Sequence, residues 1–288
     1  MSDIYYAQPL LLFRGRLLRR WRVDGCEAVS VAKSQVMEKL LKHLDAMRCV
    51  RCAGMVRATP SALHCTNCGQ AFPIRDGVPF LVDESEHQAS AGHMESLFRF
   101  PSFYWLKIHL LLRLNKTDDL PLADHLRHKD VLDVGCGPFI YGYDATLPSS
   151  IVGLDLSPHF VRAISKHDTK NLYLLANATK IPFADKSFDL SFLRYVIHHI
   201  PGHTSELLAE VARVTREYLI IFDHVCSDVP WQRNIQMTYW KSFDSGHHYN
   251  TRGEWDELLR PYRVAAFHRT GHMFGNICQI ILDLRGHG

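Results

Sequence analysis

Asp130-Val-Leu-Asp-Val-Gly-Cys-Gly-Pro138 is the stretch on which the fold turns. Residues 130–134 read as a short buried strand, and Gly135 and Gly137 follow at once. A glycine-rich turn after a buried strand lets a ligand approach backbone that side chains would otherwise screen. About 20 residues further on, Ser150-Ile-Val-Gly-Leu-Asp155 reads as a second strand ending in a carboxylate. A carboxylate there can accept both ribose hydroxyls of an adenosine-containing cofactor. Taken alone, these two features also suit a dinucleotide-dependent dehydrogenase.

Two further stretches follow in order: Asn177-Ala-Thr-Lys-Ile-Pro-Phe-Ala-Asp-Lys-Ser-Phe-Asp189 and Tyr195-Val-Ile-His-His-Ile200. With the first two, they make residues 120–285 resemble the class I S-adenosylmethionine-dependent methyltransferases. The resemblance implies an α/β fold, a Rossmann-like seven-stranded sheet with helices on both faces and a final antiparallel strand. It also implies S-adenosylmethionine as cofactor. Position by position, Asp133 would orient the methionine amine, with the Gly135, Cys136 and Gly137 backbone passing beneath the cofactor. Asp155 would take the ribose hydroxyls, Leu156 would pack on adenine, and Asn177 and Ala178 would line the adenine edge. Arg194, expected just after a strand at 190–193, falls where backbone groups meet the methionine portion; the plainer reading makes it a surface or ion-pair residue. Two departures stand out. Phe139 replaces a frequent third glycine, and Asn177 replaces the usual Asp, although an amide oxygen can still accept from the adenine amino group.

In open α/β sheets the ligand crevice lies beyond the carboxyl ends of the strands. The strand expected at 218–222 ends in Asp223-His224, and the preceding one leads into His198-His199. These four could face one crevice. Methyl transfer is an in-line displacement, and a protonated acceptor must lose a proton to a base such as histidine. The plainer reading of the His-His pair is packing and capping. Between this strand and a helix expected near Arg252 lie Trp231 to Trp240 and His247-His-Tyr249, an aromatic-rich insertion that reads as a lid or as an ordinary packing helix with a loop. The last strands are expected at 262–269 and 276–284.

The cysteines form a second pattern. Four of the eight fall in Cys49-Val-Arg-Cys52 and Cys65-Thr-Asn-Cys68. Two such pairs, each a tight turn aiming two sulfurs at one ion, mark a structural zinc with no ligand place left for water. An iron site, two redox dithiols and chance clustering are the alternatives. Gly54 and Gly69 follow the pairs, where such turns need a residue tolerant of positive φ. Asp76-Gly77 is a hairpin turn signal. From Cys49 to Val82 the chain resembles the small zinc-ribbon domain known as an activator subunit of RNA- and protein-methylating enzymes and found fused to bacterial methyltransferases.

Composition bounds the rest. The 288 residues are 47% hydrophobic and 22% charged, with a formal charge of +3, too little to indicate a nucleic-acid protein. Residues 1–57 carry 11 basic and 5 acidic side chains, whereas 120–288 carry 17 and 18. No apolar run approaches a membrane span, and arginines follow the one at Leu10 to Phe13, unlike a secretory signal. A soluble, cytoplasmic protein is expected, with no stable membrane insertion. Four segments result: a basic arm and helix (1–48, the helix at 33–47), a zinc ribbon (49–83), a helical linker or cover (84–119) and the methyltransferase domain (120–288). The arm either packs on its own domain or touches phosphates or a membrane surface. The function expected is methyl transfer to a small-molecule acceptor. RNA methylation, with the ribbon helping to bind substrate, and a non-catalytic cofactor-binding partner protein are the alternatives.

Overall fold

A computed structural model describes residues 36–82, 122–138, 144–244, 246–272 and 275–286. The basic arm, the linker at 84–119 and Phe139 lie outside the described residues. Helix α1 (36–43) is followed by a 3-10 turn, Leu44–Ala46, so the helix expected at 33–47 stops before Met47, which is extended.

Four short strands come next: β1 (Val56–Ala58), β2 (Ala62–Cys65), β3 (Ala71–Arg75) and β4 (Val78–Leu81). They pair antiparallel in sequence order. Asp76 and Gly77 both have positive φ (52° and 79°), the backbone a two-residue hairpin needs, so the turn falls where the sequence signals it. After the first Cys pair, however, the left-handed residue is Ala53 (φ 56°), not Gly54. Gly54 is small for another reason: a Cβ there would meet Asn67 Cβ at 2.7 Å and Cys65 Sγ at 3.1 Å. Gly69 does take positive φ (73°).

The larger unit contains α2 (Ala123–Leu126), β5 (Asp130–Val134), β6 (Ser150–Asp155), α3 (Pro158–His167), β7 (Leu172–Ala176), β8 (Phe188–Arg194), α4 (Thr204–Val214), β9 (Thr215–His224), α5 (Pro230–Asp244), α6 (Arg252–Leu259), β10 (Arg263–His272) and β11 (Gly275–Asp283). Its strands lie in the order β7-β6-β5-β8-β9-β11-β10. The first five are parallel and β11 is antiparallel to β9, the seven-stranded sheet expected. The parallel strands are near-continuous apolar runs because both faces are covered: β7 is buried at every position. Helix α3 starts cleanly because Ser157 accepts from Phe160 N and Pro158 occupies the first turn.

The two units share one ladder. Strand β4 pairs parallel with β7, Phe80 opposite Leu175 and Leu81 opposite Ala176, so the ribbon extends the large sheet. A second seam bridges Met47 to Phe183, with Arg48 N donating to Pro182 O and Ala184 N to Ala46 O. One hydrophobic cluster accordingly joins Cys49, Leu63 and Phe72 to Leu154 and Leu174.

Candidate cofactor and acceptor site

Strands β5 and β6 carry Asp133 and Asp155 to neighbouring places at the carboxyl edge of the sheet. Between them the glycine turn folds back on β6: Gly135 N and Cys136 N both donate to Leu154 O (2.8 and 3.0 Å). Gly135 and Gly137 take φ of +69° and +64°, left-handed backbone that glycine adopts without steric cost. Gly135 has a second constraint, since a Cβ there would lie 2.3 Å from Val196 Cγ2, whereas at Gly137 it would meet nothing within 4 Å. Cys136 is fully buried over Gly153, and burial pushes its thiol well up from the ordinary range. It lines the turn as a small apolar residue.

Asp155 ties the turn in place, accepting from Gly137 N at 3.1 Å and from Ser157 N at 2.8 Å. Burial pushes its carboxyl up to about 6, Asp133 adding to the rise, against those two backbone donors. Each oxygen keeps a lone pair beyond these bonds, so acceptance from two hydroxyls remains possible. Leu156 beside it is half-buried. Asn177 differs from its expected use. Its Oδ1 accepts from Thr179 N and Thr179 Oγ1, both at 3.0 Å, which closes a local turn and commits the oxygen expected to face an adenine amino group. Ala178 is buried next to it. The loop's course is set by Arg213, which donates to Phe183 O and Ile181 O while gripping Glu210, whose Oε1 accepts from Ile181 N.

Arg194 is the last residue of β8 rather than the first beyond it, and it is not on the surface. Its Nη2 lies 2.6 Å from Asp133 Oδ2, with the two side chains 2% and 1% exposed. The plainer reading of Arg194 thus holds in a specific form: an ion pair inside the expected donor site. Tyr195, the next residue, has positive φ (56°), costly for a bulky side chain, and its N–H donates to Phe222 O.

On the acceptor side the structure brings together all four expected residues. His198 and His199 lie in a single 3-10 turn, Ile197–His199, and Asp223 and His224 end β9, which is longer at both ends than the apolar core at 218–222 suggested. Asp223 Oδ1 lies 2.8 Å from His198 Nδ1 and also accepts from His224 N, while Oδ2 accepts from Ile197 N. Burial alone would raise this carboxyl, but His198 beside it holds it below the usual range. The His198 ring stacks on Tyr249 (5.3 Å, 14°), and the His224 ring packs on Trp240 (centroids 3.8 Å). Trp240 and Tyr249 are fully buried. The aromatic insertion is therefore helix α5 followed by a loop whose His247 and His248 N–H groups donate to His198 O. His199 is half-buried with its ring 4.0 Å from that of His198. Sequence reasoning missed Tyr195, Val196 and Gly246. A Cβ at Gly246 would fall 2.5 Å from His198 Cδ2, so only glycine lets this loop close on the ring. No local signal in one sequence separates that glycine from a loop residue.

In the ribbon, Cys49 Sγ lies 3.7 Å from Cys68 Sγ, and Cys52 Sγ lies 3.5 Å from Cys65 Sγ. Four thiolates about 2.3 Å from one ion would be separated by roughly 3.8 Å, so the set fits a tetrahedral metal. Backbone N–H groups of Asn67 and Cys68 point at Cys65 Sγ (3.4 Å each). Backbone donation from Gly54 brings the Cys52 thiol down to about 6. All seven cysteines among the described residues are free thiols.

Strand order, glycine turn and paired strand-end carboxylates agree with the α/β sheet expected from the sequence. In agreement, residues 132–221 match the family described as Methyltransferase domain. Over 85 residues the chain is 38% identical to the tRNA U34 carboxymethyltransferase of Nautilia profundicola, a stretch covering 27% of this chain and 28% of that protein. Over 105 residues it is 34% identical to an uncharacterized protein of Methanocaldococcus jannaschii, covering 35% and 39%. The chain thus spans well under half the length of these relatives. Among solved structures, a SAM-dependent methyltransferase of Methanosarcina mazei superposes with a TM-score of 0.46 at 18% identity, over 58% of this chain and 98% of that one. No helix among the described residues is long and apolar enough to cross a membrane.

Proposed function

We propose that this chain transfers the methyl group of S-adenosylmethionine to a small-molecule acceptor held at the carboxyl ends of β8 and β9. The donor supplies an electron-poor methyl group. Asp155 would hold the ribose, beside the Gly135–Gly137 turn, and Asp133 with Arg194 would hold the charged amino-acid end. His198 takes the acceptor's proton at Nε2, while Asp223 accepts from Nδ1–H and so fixes the ring's tautomer and direction. The observation that carries this reading is the buried Asp223–His198 pair, with Tyr249 stacked on the His198 ring and Trp240 packed on that of the adjoining His224. Surroundings rich in aromatic rings suit a small, partly apolar acceptor. Zinc held by Cys49, Cys52, Cys65 and Cys68 braces the ribbon, and free thiols suit the reducing cytoplasm.

The second reading, RNA as acceptor, is favoured by one observation, the tRNA in the name of the Nautilia profundicola relative. Incubation with methyl-labelled donor and fractionated cell extract separates the two. Label in the low-mass fraction supports the proposal, and label in RNA replaces it with the second reading. Donor binding without transfer to any fraction supports a cofactor-binding partner protein.

A further inference from the structure

Asp223 and His198 account for only part of the cluster beyond β8 and at the end of β9. His224 brings a third donor: one ligand atom each from His198, Asp223 and His224 lie within 4.8 Å of one another, and all three residues are buried. A carboxylate that only fixes a ring's tautomer needs one histidine, so that role leaves the second ring unexplained. Among the described residues, the other convergence of this kind is the cysteine set of the ribbon. The three residues are also held stiffly. Trp255 Nε1 donates to His224 O (3.0 Å), the Cys278 thiol to Asp223 O (3.3 Å) and His247 N to His198 O (2.9 Å), so α6, β11 and the loop after α5 each pin one carbonyl. Ile197 N and His224 N orient the Asp223 carboxylate itself, as second partners do for the carboxylate ligands of metal sites. The spacing suits an ion as well. His198 Nδ1 and Asp223 Oδ1 are 2.8 Å apart. Two ligands, each about 2.1 Å from one ion, are separated by about 3.0 Å at a right angle and about 3.4 Å at the tetrahedral angle. An ion can replace the proton between them if they part by about 0.2–0.6 Å.

We infer that His198, Asp223 and His224 form a second metal site, which takes a divalent transition ion and shuts off the proton transfer proposed above. The inference rests on the role given to His198 there. Two imidazoles and one carboxylate suit Zn2+, whereas Mg2+ and Ca2+ prefer oxygen ligands throughout. Three protein ligands leave one place for a water, which as hydroxide brings the buried set to neutrality. The proton count closes on the ring itself. The ion takes the Nδ1 position, the proton formerly on Nδ1 moves to Nε2, and Asp223 stays ionised. With Nε2 protonated, the ring has no lone pair left to take the acceptor's proton. Metal and acceptor thus compete for one imidazole, and the site is a switch rather than a catalytic metal centre.

Elemental analysis and cobalt absorption of the full chain test this. After dialysis to equilibrium against zinc and removal of loosely held ion, wild type should retain two ions per chain and His224→Asn one. In the cobalt form, one of the two ions should give the sulfur-to-metal absorption of the ribbon, and the other, held by nitrogen and oxygen alone, should lack it. Loading the second ion should slow methyl transfer to the labelled extract fraction about tenfold or more. His224→Asn should need about tenfold or more zinc for the same proportional loss of its own rate. A wild type holding one ion only, with sulfur-to-metal absorption, would overturn the inference even if His224→Asn failed to fold. So would a second ion that persists in folded His224→Asn and Asp223→Asn, or a second ion that leaves transfer undiminished. If the single-ion form transferred no methyl group to any fraction, the proposed function would fall instead, and the ion count would still decide this site.

Discussion

Asp223 Oδ1 lies 2.8 Å from His198 Nδ1 in a setting where both side chains are 2% exposed. A carboxylate buried to this degree and accepting two backbone N–H groups as well is held rigidly, and the ring it orients is held with it. Asp223→Asn should therefore lower kcat about a hundredfold or more while leaving donor affinity within about twofold. His198→Asn should cost about the same, and the double variant no more than either single one, because the two act as a unit. Steady-state kinetics on the acceptor found by labelling, beside donor titrations, checks all three. A kcat change under about threefold for Asp223→Asn would remove the proton-transfer role.

In the proposed donor site, Asp155 would link donor binding to pH. Its folded-state carboxyl titrates at about 6, above the ordinary 3.8. A raised value means that the folded state holds its proton more tightly, so this group's contribution to stability is full below 3.8 and is lost as pH rises through about 6. Donor affinity runs the other way, because only the ionised group accepts from both hydroxyls. Affinity for S-adenosylhomocysteine should fall about tenfold per pH unit below 6, with a flat profile above about 7. Asp155→Asn should bind weakly and show none of this dependence on pH.

The two glycines of the turn should behave differently. Ala at 135 would face both left-handed backbone and a 2.3 Å approach to Val196, whereas Ala at 137 would face only the backbone cost. Gly135→Ala should abolish donor binding or folding, and Gly137→Ala should fold with a loss of about 1–2 kcal/mol. Thermal melts with and without S-adenosylhomocysteine distinguish these outcomes.

The ribbon should stabilise the donor site as well as itself. Phe80 on β4 is opposite Leu175 on β7, and Leu175 is opposite Asp155 on β6, so one strand separates the ribbon from the Asp155 carboxylate. Phe80→Ala removes a side chain that is 3% exposed and should cost about 3 kcal/mol in urea unfolding. Chelation of the metal, or Cys52→Ser, should speed hydrogen exchange in β7 and at residues 180–184, the two places where the ribbon is anchored. Exchange changes confined to residues 49–75 would mean that the two units are energetically separate.

Much of this was legible in advance because it is written locally. A buried strand, a left-handed glycine pair and a carboxylate at a fixed distance are sequence-adjacent features, and so are two Cys pairs and an Asp-Gly turn. Strand ends were less legible. Arg194, Asp223 and His224 are polar, so hydrophobic patterning stops short of them, yet ladder bonds carry β8 and β9 through them. The fusion of ribbon and sheet was not legible, because β4 reads as the last strand of a hairpin and nothing in it says that its other edge meets β7. The Arg194–Asp133 contact spans 61 positions and depends on which strands are neighbours. Asn177 shows the limit from the other side: residue type allowed an adenine contact, but the Thr179 donors two positions on claimed its oxygen.

The most direct measurement is a crystal structure of the full chain with S-adenosylhomocysteine. The account predicts ribose hydroxyls on Asp155 and the amino-acid end against Asp133 and Arg194, with the sulfur facing His198. A ligand bound elsewhere, or one whose ribose leaves Asp155 untouched, would contradict it.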